Sequence, residues 1–145
     1  MLNFISTPIG NLNDISQRAI DAIRNCDYLY AEDTRITKNL LNSYQIKKEC
    51  KSFHEHNEKK LTSSIVKHLL NNKNISIVSD AGTPGISDPG YNLIRECVEK
   101  NIKYTLIPGP SSVINGLIMS GLPTDKFCFF GFFPRKYNKI KESLE

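Results

Sequence analysis

Residues 75–90 read Ile75-Ser76-Ile77-Val78-Ser79-Asp80-Ala81-Gly82-Thr83-Pro84-Gly85-Ile86-Ser87-Asp88-Pro89-Gly90. The first five are short, apolar and β-branched, and Asp80-Ala81-Gly82 stops them. That is the signature of a buried strand. The next eleven residues hold three glycines and two prolines. Asp88-Pro89 then reads as an N-cap followed by proline at the first helical position. Leu93, Ile94, Cys97 and Val98 carry on at helical spacing. The stretch is a strand, a Gly/Pro turn and a helix.

The same unit recurs on both sides. Upstream, Leu2–Ser6 reads as a strand, and Asp14 reads as a helix cap with Gln17 as its capping-box partner. Ile15, Ala19, Ile20 and Ile23 form that helix's apolar stripe. Tyr28–Ala31 is a second strand, and Ile36, Leu40, Leu41 and Tyr44 mark a second helix. Residues 51–54 read as a short strand, and Leu61, Ile65, Leu69 and Leu70 as a third helix. Downstream, Tyr104–Ile107 is a strand broken by Pro108-Gly109-Pro110. Val113, Ile114, Leu117 and Ile118 mark the helix that follows, with Gly121 near its C-cap. Such alternation predicts an α/β fold, a mostly parallel sheet flanked by helices. The expected division is one domain over residues 1–122 and the beginning of a second over 123–145. There Phe127, Phe129, Phe130, Phe132 and Phe133 crowd together. They read either as one more strand of the sheet or as the first strand of the second domain.

The 145 residues are 39% hydrophobic and 23% charged, which excludes a disordered or collagen-like chain. No apolar run approaches the roughly 20 residues of a membrane span, and the first ten residues lack a basic n-region. The expected location is the cytoplasm. Net charge is +4, unevenly spread: residues 1–34 carry 2 basic and 5 acidic groups, whereas residues 35–68 carry 8 and 3. The second segment is where a polyanion would bind, or else it is a solvated lysine-rich face. Arg35, Lys38, Lys47, Lys48 and Lys51 dominate it. The cysteines, 26, 50, 97 and 128, are too far apart for a CxxC motif and read as free thiols.

Three strand-to-helix turns carry glycine or proline: Ser6-Thr7-Pro8-Ile9-Gly10-Asn11, the 80–90 loop, and Pro108-Gly109-Pro110-Ser111-Ser112. In a parallel sheet all three fall on one edge and point to a small-molecule pocket there. The 80–90 loop is G-x-x-G rather than G-x-G-x-x-G, so a Rossmann site is excluded, and no Lys follows a glycine loop as a P-loop requires. Glu32-Asp33-Thr34-Arg35 ends the second strand on the same edge. Its carboxylates are placed to polarise a hydroxyl and Arg35 to hold a phosphate, or Asp33 simply caps a helix. His54-Glu55-His56-Asn57-Glu58 is not HExxH. Two histidines two apart share a face of an extended segment, but no third metal ligand is suggested. The segment reads as a polar cluster touching substrate or as plain surface, and no metal is expected.

These motifs together resemble the tetrapyrrole methylase superfamily, and within it the enzymes that methylate small-subunit ribosomal RNA. The residues that carry the resemblance are Ser6 to Leu12, Ala31 to Arg35, His54 to Glu58, Ser79 to Gly90, Pro108 to Ser112 and Ser120 to Pro123, across essentially the whole chain. The resemblance implies a non-Rossmann enzyme of two α/β domains with S-adenosyl-L-methionine folded between them. It implies methyl transfer to the ribose 2′-hydroxyl of a cytidine in 16S rRNA near the decoding site, usually by a homodimer. Carried over by position, Pro8, Ala81, Gly82, Thr83, Ile86, Ser111 and Ser112 are the expected cofactor contacts. Asp33, His54 and Glu55 are the expected acid–base or orienting groups, and Arg35 and Lys38 the expected RNA contacts. Family members are roughly twice as long, so the chain is expected to lack half of the cleft and to methylate no RNA alone. The competing readings are a tetrapyrrole or diphthine methylase and a non-catalytic binding remnant.

Overall fold

The computed structural model describes residues 1–132 and 134–144. They fall into two compact units, Met1–Ser112 and Val113–Glu145. The first unit holds a five-stranded sheet of β1 (Leu2–Ile5), β2 (Tyr28–Ala31), β3 (Cys50–Ser52), β4 (Ile75–Val78) and β5 (Tyr104–Ile107). The order is β3-β2-β4-β1-β5, and every pairing is parallel. The predicted α/β class with a parallel sheet is the observed one.

Helices α1 (Gln17–Asn25), α2 (Thr34–Ser43), α3 (Glu58–Leu70) and α4 (Tyr91–Glu99) connect the strands in turn. The period-2 alternation of a strand decides which helix each side chain meets. Leu2, Phe4, Tyr30, Ile75 and Ile77 pack with Ile65, Val66 and Leu69 of α3 and Leu93 and Cys97 of α4. Ile5, Leu29, Ala31 and Val78 pack with Ile20 and Ile23 of α1 and Leu41 of α2. Two helices therefore cover each face. β1 and β4, buried on both, are almost wholly apolar, as parallel strands at the centre of a sheet must be.

Two helix starts differ from expectation. Asn11 caps a 3-10 turn, Leu12–Asp14, and Ile15 is extended, so Asp14 is used up before α1 begins. The cap of α1 is Ser16, which accepts from the Ala19 N–H, while the Gln17 amide donates to Asp21. Helix α4 starts at Tyr91, beyond Asp88-Pro89. Gly90, at φ +141°, precedes it and carries no side-chain cap.

The second unit contains α5 (Ser112–Met119) past its first residue, and α6 (Tyr137–Leu144). The aromatic run from Phe127 to Phe132 forms no strand, because no ladder partners it among the described residues. Phe133 lies outside the described residues. Cys26 and Cys97 are buried, Cys50 half-buried and Cys128 exposed; all four are free thiols.

Candidate functional site

Since all five strands point the same way, the turns after β1, β4 and β5 share one edge of the sheet. Hydrogen bonds lock the three together. The Thr7 N–H donates to the Gly82 carbonyl at 2.8 Å and the Gly82 N–H to the Thr7 carbonyl at 3.1 Å. The Thr7 hydroxyl donates to the Ser79 carbonyl at 3.1 Å. Ser6 and Thr83 share a hydroxyl–hydroxyl bond of 3.0 Å, and Thr83 Oγ1 reaches the Pro110 carbonyl at 3.4 Å. Glycine is needed at two points. Gly82 sits at φ +86°, and a Cβ on Gly109 would lie 2.9 Å from the Ser6 Cβ. The backbones thus approach more closely than side chains allow.

Of the cofactor contacts implied by resemblance, Pro8, Ala81, Gly82, Thr83, Ser111 and Ser112 lie on these three turns. Ile86 is exposed on the later arm of the 80–90 loop, and no described contact brings it to the others. The fit to a cofactor rests on the two glycine positions and on Ala81, which the fold leaves exposed.

On the neighbouring strand ends, Asp33 caps α2 by accepting from the Arg35 N–H at 2.8 Å. It also forms an ion pair with the Arg35 guanidinium, Oδ2 to Nη2 at 2.6 Å. Those bonds hold the Asp33 carboxyl at about 2, so it is ionised throughout the neutral range and a weak proton acceptor. Arg35 and Lys38 are exposed and lie three residues apart on the first turns of α2, where they share a face. Lys48 and Lys51 are engaged elsewhere. Lys48 Nζ donates to the Cys26 carbonyl at 2.6 Å, and Lys51 lies 4.8 Å from the Tyr28 ring centroid.

The His54–Glu58 segment follows β3 at the same edge. The Asn57 amide fastens it, accepting from the His54 N–H at 2.8 Å and donating to the Ser52 carbonyl at 3.2 Å. His54 Nδ1 is buried without a hydrogen-bond partner among the described residues. Glu55 is exposed. Glu58, which the sequence shows only as the last residue of a polar run, is 5% exposed. Its Oε1 accepts from the N–H groups of Gly90, Asn92 and Leu93 at 3.1, 2.9 and 3.4 Å. It supplies from α3 the cap that α4 lacks, and ties the His54 segment to the far end of the 80–90 loop.

Strand order also gathers carboxylates that are remote in sequence. The Asp33 N–H donates to Asp80 Oδ1 at 2.9 Å. Burial raises the Glu32 carboxyl above its ordinary range, and the charges of Asp88, Asp80 and Asp33 add to the shift. Burial likewise raises Asp88, against a hydrogen bond from Ser79. Asp80 and Asp88 were legible only as loop residues, because nothing in the sequence states that β2 and β4 are neighbours. Beside this group, a cavity of about 170 Å³ opens between the β1 and β4 turns and α2.

The Tetrapyrrole (Corrin/Porphyrin) Methylases model matches residues 1–144. Ribosomal RNA small subunit methyltransferase I of Thermotoga maritima is 49% identical over 138 residues, covering 95% of this chain and 62% of that protein. The protein of the same name from Haemophilus influenzae is 45% identical over 145 residues, covering 100% of this chain and 51% of that protein. The chain therefore spans about half the length of the curated relatives it matches. A crystal structure of diphthine synthase has a TM-score of 0.63 at 18% identity, covering 80% of this chain and 47% of that one. Uroporphyrin-III-C-methyltransferase from Thermus thermophilus has 0.62 at 15%, covering 84% and 52%. At those identities the two structures share the fold. Taking family match, relatives and fold together, this chain belongs to the tetrapyrrole methylase family.

Proposed function

We propose that this chain supplies the first α/β domain of an S-adenosylmethionine-dependent methyltransferase that modifies the ribose 2′-hydroxyl of a cytidine in small-subunit ribosomal RNA, near the decoding site. On this reading it acts in the cytoplasm, as a homodimer. The observation that carries the proposal is the meeting of three strand-to-helix turns on one sheet edge, in a chain whose curated relatives at 42–49% identity share one rRNA methyltransferase name.

Pro8, Ala81, Gly82, Thr83, Ile86, Ser111 and Ser112 would hold the cofactor, which supplies an activated methyl group when bound. The chain's own work is to align a ribose oxygen and receive its proton. Asp33 is a poor proton acceptor while Arg35 holds it, so its role is to fix Arg35 at the start of α2. His54 and Glu55 remain the orienting or proton-accepting groups on the β3 side. Glu32, whose carboxyl sits above its ordinary range, is a second proton acceptor on the β2 side. Arg35 and Lys38 contact RNA phosphates.

The test replaces the matching 138 residues of the Thermotoga maritima relative with this chain. The chimera and the chain alone are incubated with radiolabelled S-adenosylmethionine and small subunits lacking the mark. Label on a cytidine 2′-oxygen with the chimera, and none with the chain alone, is expected. Label on a base, or none from a folded chimera, overturns the proposal.

A further inference from the structure

The cavity of about 170 Å³ beside the carboxylate group is well below the roughly 300–1,000 Å³ that encloses a drug-sized ligand. A whole S-adenosylmethionine does not fit inside it; a single flat ring does. Its lining has two characters. Pro8, Leu12, Ile36 and Leu40 offer apolar surface, and Leu12 and Ile36 stay half-exposed beside it. Asp80 and Asn39 offer polar edges. Asp80 Oδ1 is occupied by the Asp33 N–H, while Oδ2 takes no hydrogen bond from the described residues, and neither does the Asn39 amide. A carboxylate disfavours a phosphate or another anion and accepts from an amino group. Apolar faces and one hydrogen-bonding edge are what a nucleobase presents once it leaves its stack.

We infer that this cavity receives the extruded target base, and that Asp80 selects a pyrimidine bearing an exocyclic amino group. The inference rests on the RNA reading above and deepens it. Asp80 immediately precedes Ala81, and Pro8 belongs to the first cofactor turn. A base in the cavity therefore puts its ribose against the turns that would hold the methyl donor. Asp80 Oδ2 accepts from the N4 amino group of cytosine, while uracil turns a carbonyl oxygen toward that carboxylate. Asn39, able to donate and accept, meets the rest of the edge.

The ¹⁵N-labelled chain is titrated separately with cytidine, uridine, adenosine and S-adenosylmethionine, and amide shifts are followed by NMR. Cytidine should move the amides of residues 36–40 and 79–80 at concentrations about tenfold below those needed for uridine or adenosine. Asp80→Asn keeps a carbonyl for the Asp33 N–H but turns the free acceptor into a donor, so it should reverse the cytidine-over-uridine order. Ile36→Trp should fill the cavity and abolish the cytidine shifts, which keeps the proposal testable if Asp80→Asn fails to fold. Equal response to cytidine and uridine overturns the proposal, as does an unchanged order in folded Asp80→Asn. So does a response of the residue 36–40 amides to S-adenosylmethionine with none to cytidine, which would give the cavity to the cofactor. Cytidine binding by the chain, with no S-adenosylmethionine binding by the folded chimera described above, would sustain this inference and count against the methyltransferase reading.

Discussion

Replacing Glu58 by alanine tests whether one buried carboxylate holds the start of α4. Three N–H groups converge on Glu58 Oε1. The Gly90 and Leu93 donors are buried, whereas Asn92 is partly exposed and water can replace its acceptor. Each buried donor left unsatisfied costs about 1–3 kcal/mol. The Leu93 bond is the longest and contributes least, so Glu58→Ala should destabilise the first unit by about 3 kcal/mol. Glu58→Gln keeps an oxygen in place and loses only the charge. The difference between charged and neutral acceptors puts that loss at about 1 kcal/mol. Urea unfolding followed by circular dichroism measures both. With a slope of about 1–3 kcal/mol per molar, the alanine midpoint should fall by about 1 M or more. Amide exchange at residues 90–93 should accelerate beyond the global change. The reasoning is refuted if Glu58→Ala costs less than about 1 kcal/mol or if Gln and Ala are equally damaging.

Asp33 titrates at about 2 because Arg35 holds its charged form, so its stabilisation is complete above pH about 4 and fades as pH falls through about 2. The stability gap between the parent and Asp33→Asn, measured by urea midpoint, should close over that window. Glu32 has the opposite sign: a raised carboxyl makes ionisation unfavourable in the folded state, so Glu32→Gln should be the more stable protein at pH 7, and the two midpoints should converge towards pH 4. Gly109→Ala forces a Cβ to 2.9 Å from that of Ser6, and calorimetry should register a loss of about 1–3 kcal/mol as the β1 and β5 turns separate. Arg35→Gln with Lys38→Gln should flatten the salt dependence of RNA binding by up to about one logarithmic unit per lost phosphate contact, and an unchanged slope in filter binding would make this face merely solvated.

What the sequence made legible is local. The β-branched run 75–78 and its glycine stop announce β4 without help from the rest of the chain, and the apolar stripes of α1 and α2 do the same. Where two signals compete within a few residues, the reading fails: Asp14 and Ser16 are both good caps, and the 3-10 turn that ends on Asp14 decides between them. Asp88-Pro89 has the composition of a helix start, yet α4 begins later because its cap comes from Glu58, across the fold. The candidate site divides along the same line. The Gly/Pro turns could be placed on one edge from strand direction alone. The company of Glu32, Asp80 and Asp88 follows from β2 lying beside β4, and the burial of the His54 ring nitrogen from packing. Neither leaves a mark on the linear pattern.

The place of β1 bears on how the molecule is made. Leu2–Ile5 pairs with Ile75–Val78 on one side and Tyr104–Ile107 on the other, and with no strand encoded between. β1 therefore has no partner until the more than seventy residues that separate it from β4 have been synthesised. Of the strands synthesised before β4, β2 and β3 pair with each other, through a three-residue ladder at the sheet's edge. Closing the central ladder requires bringing together segments more than seventy residues apart, the kind of distant pairing that slows folding. Until β4 arrives, both edges of Leu2–Ile5 stay unpaired, and a nascent chain in that state depends on chaperones or on swift elongation to avoid sticking to its neighbours.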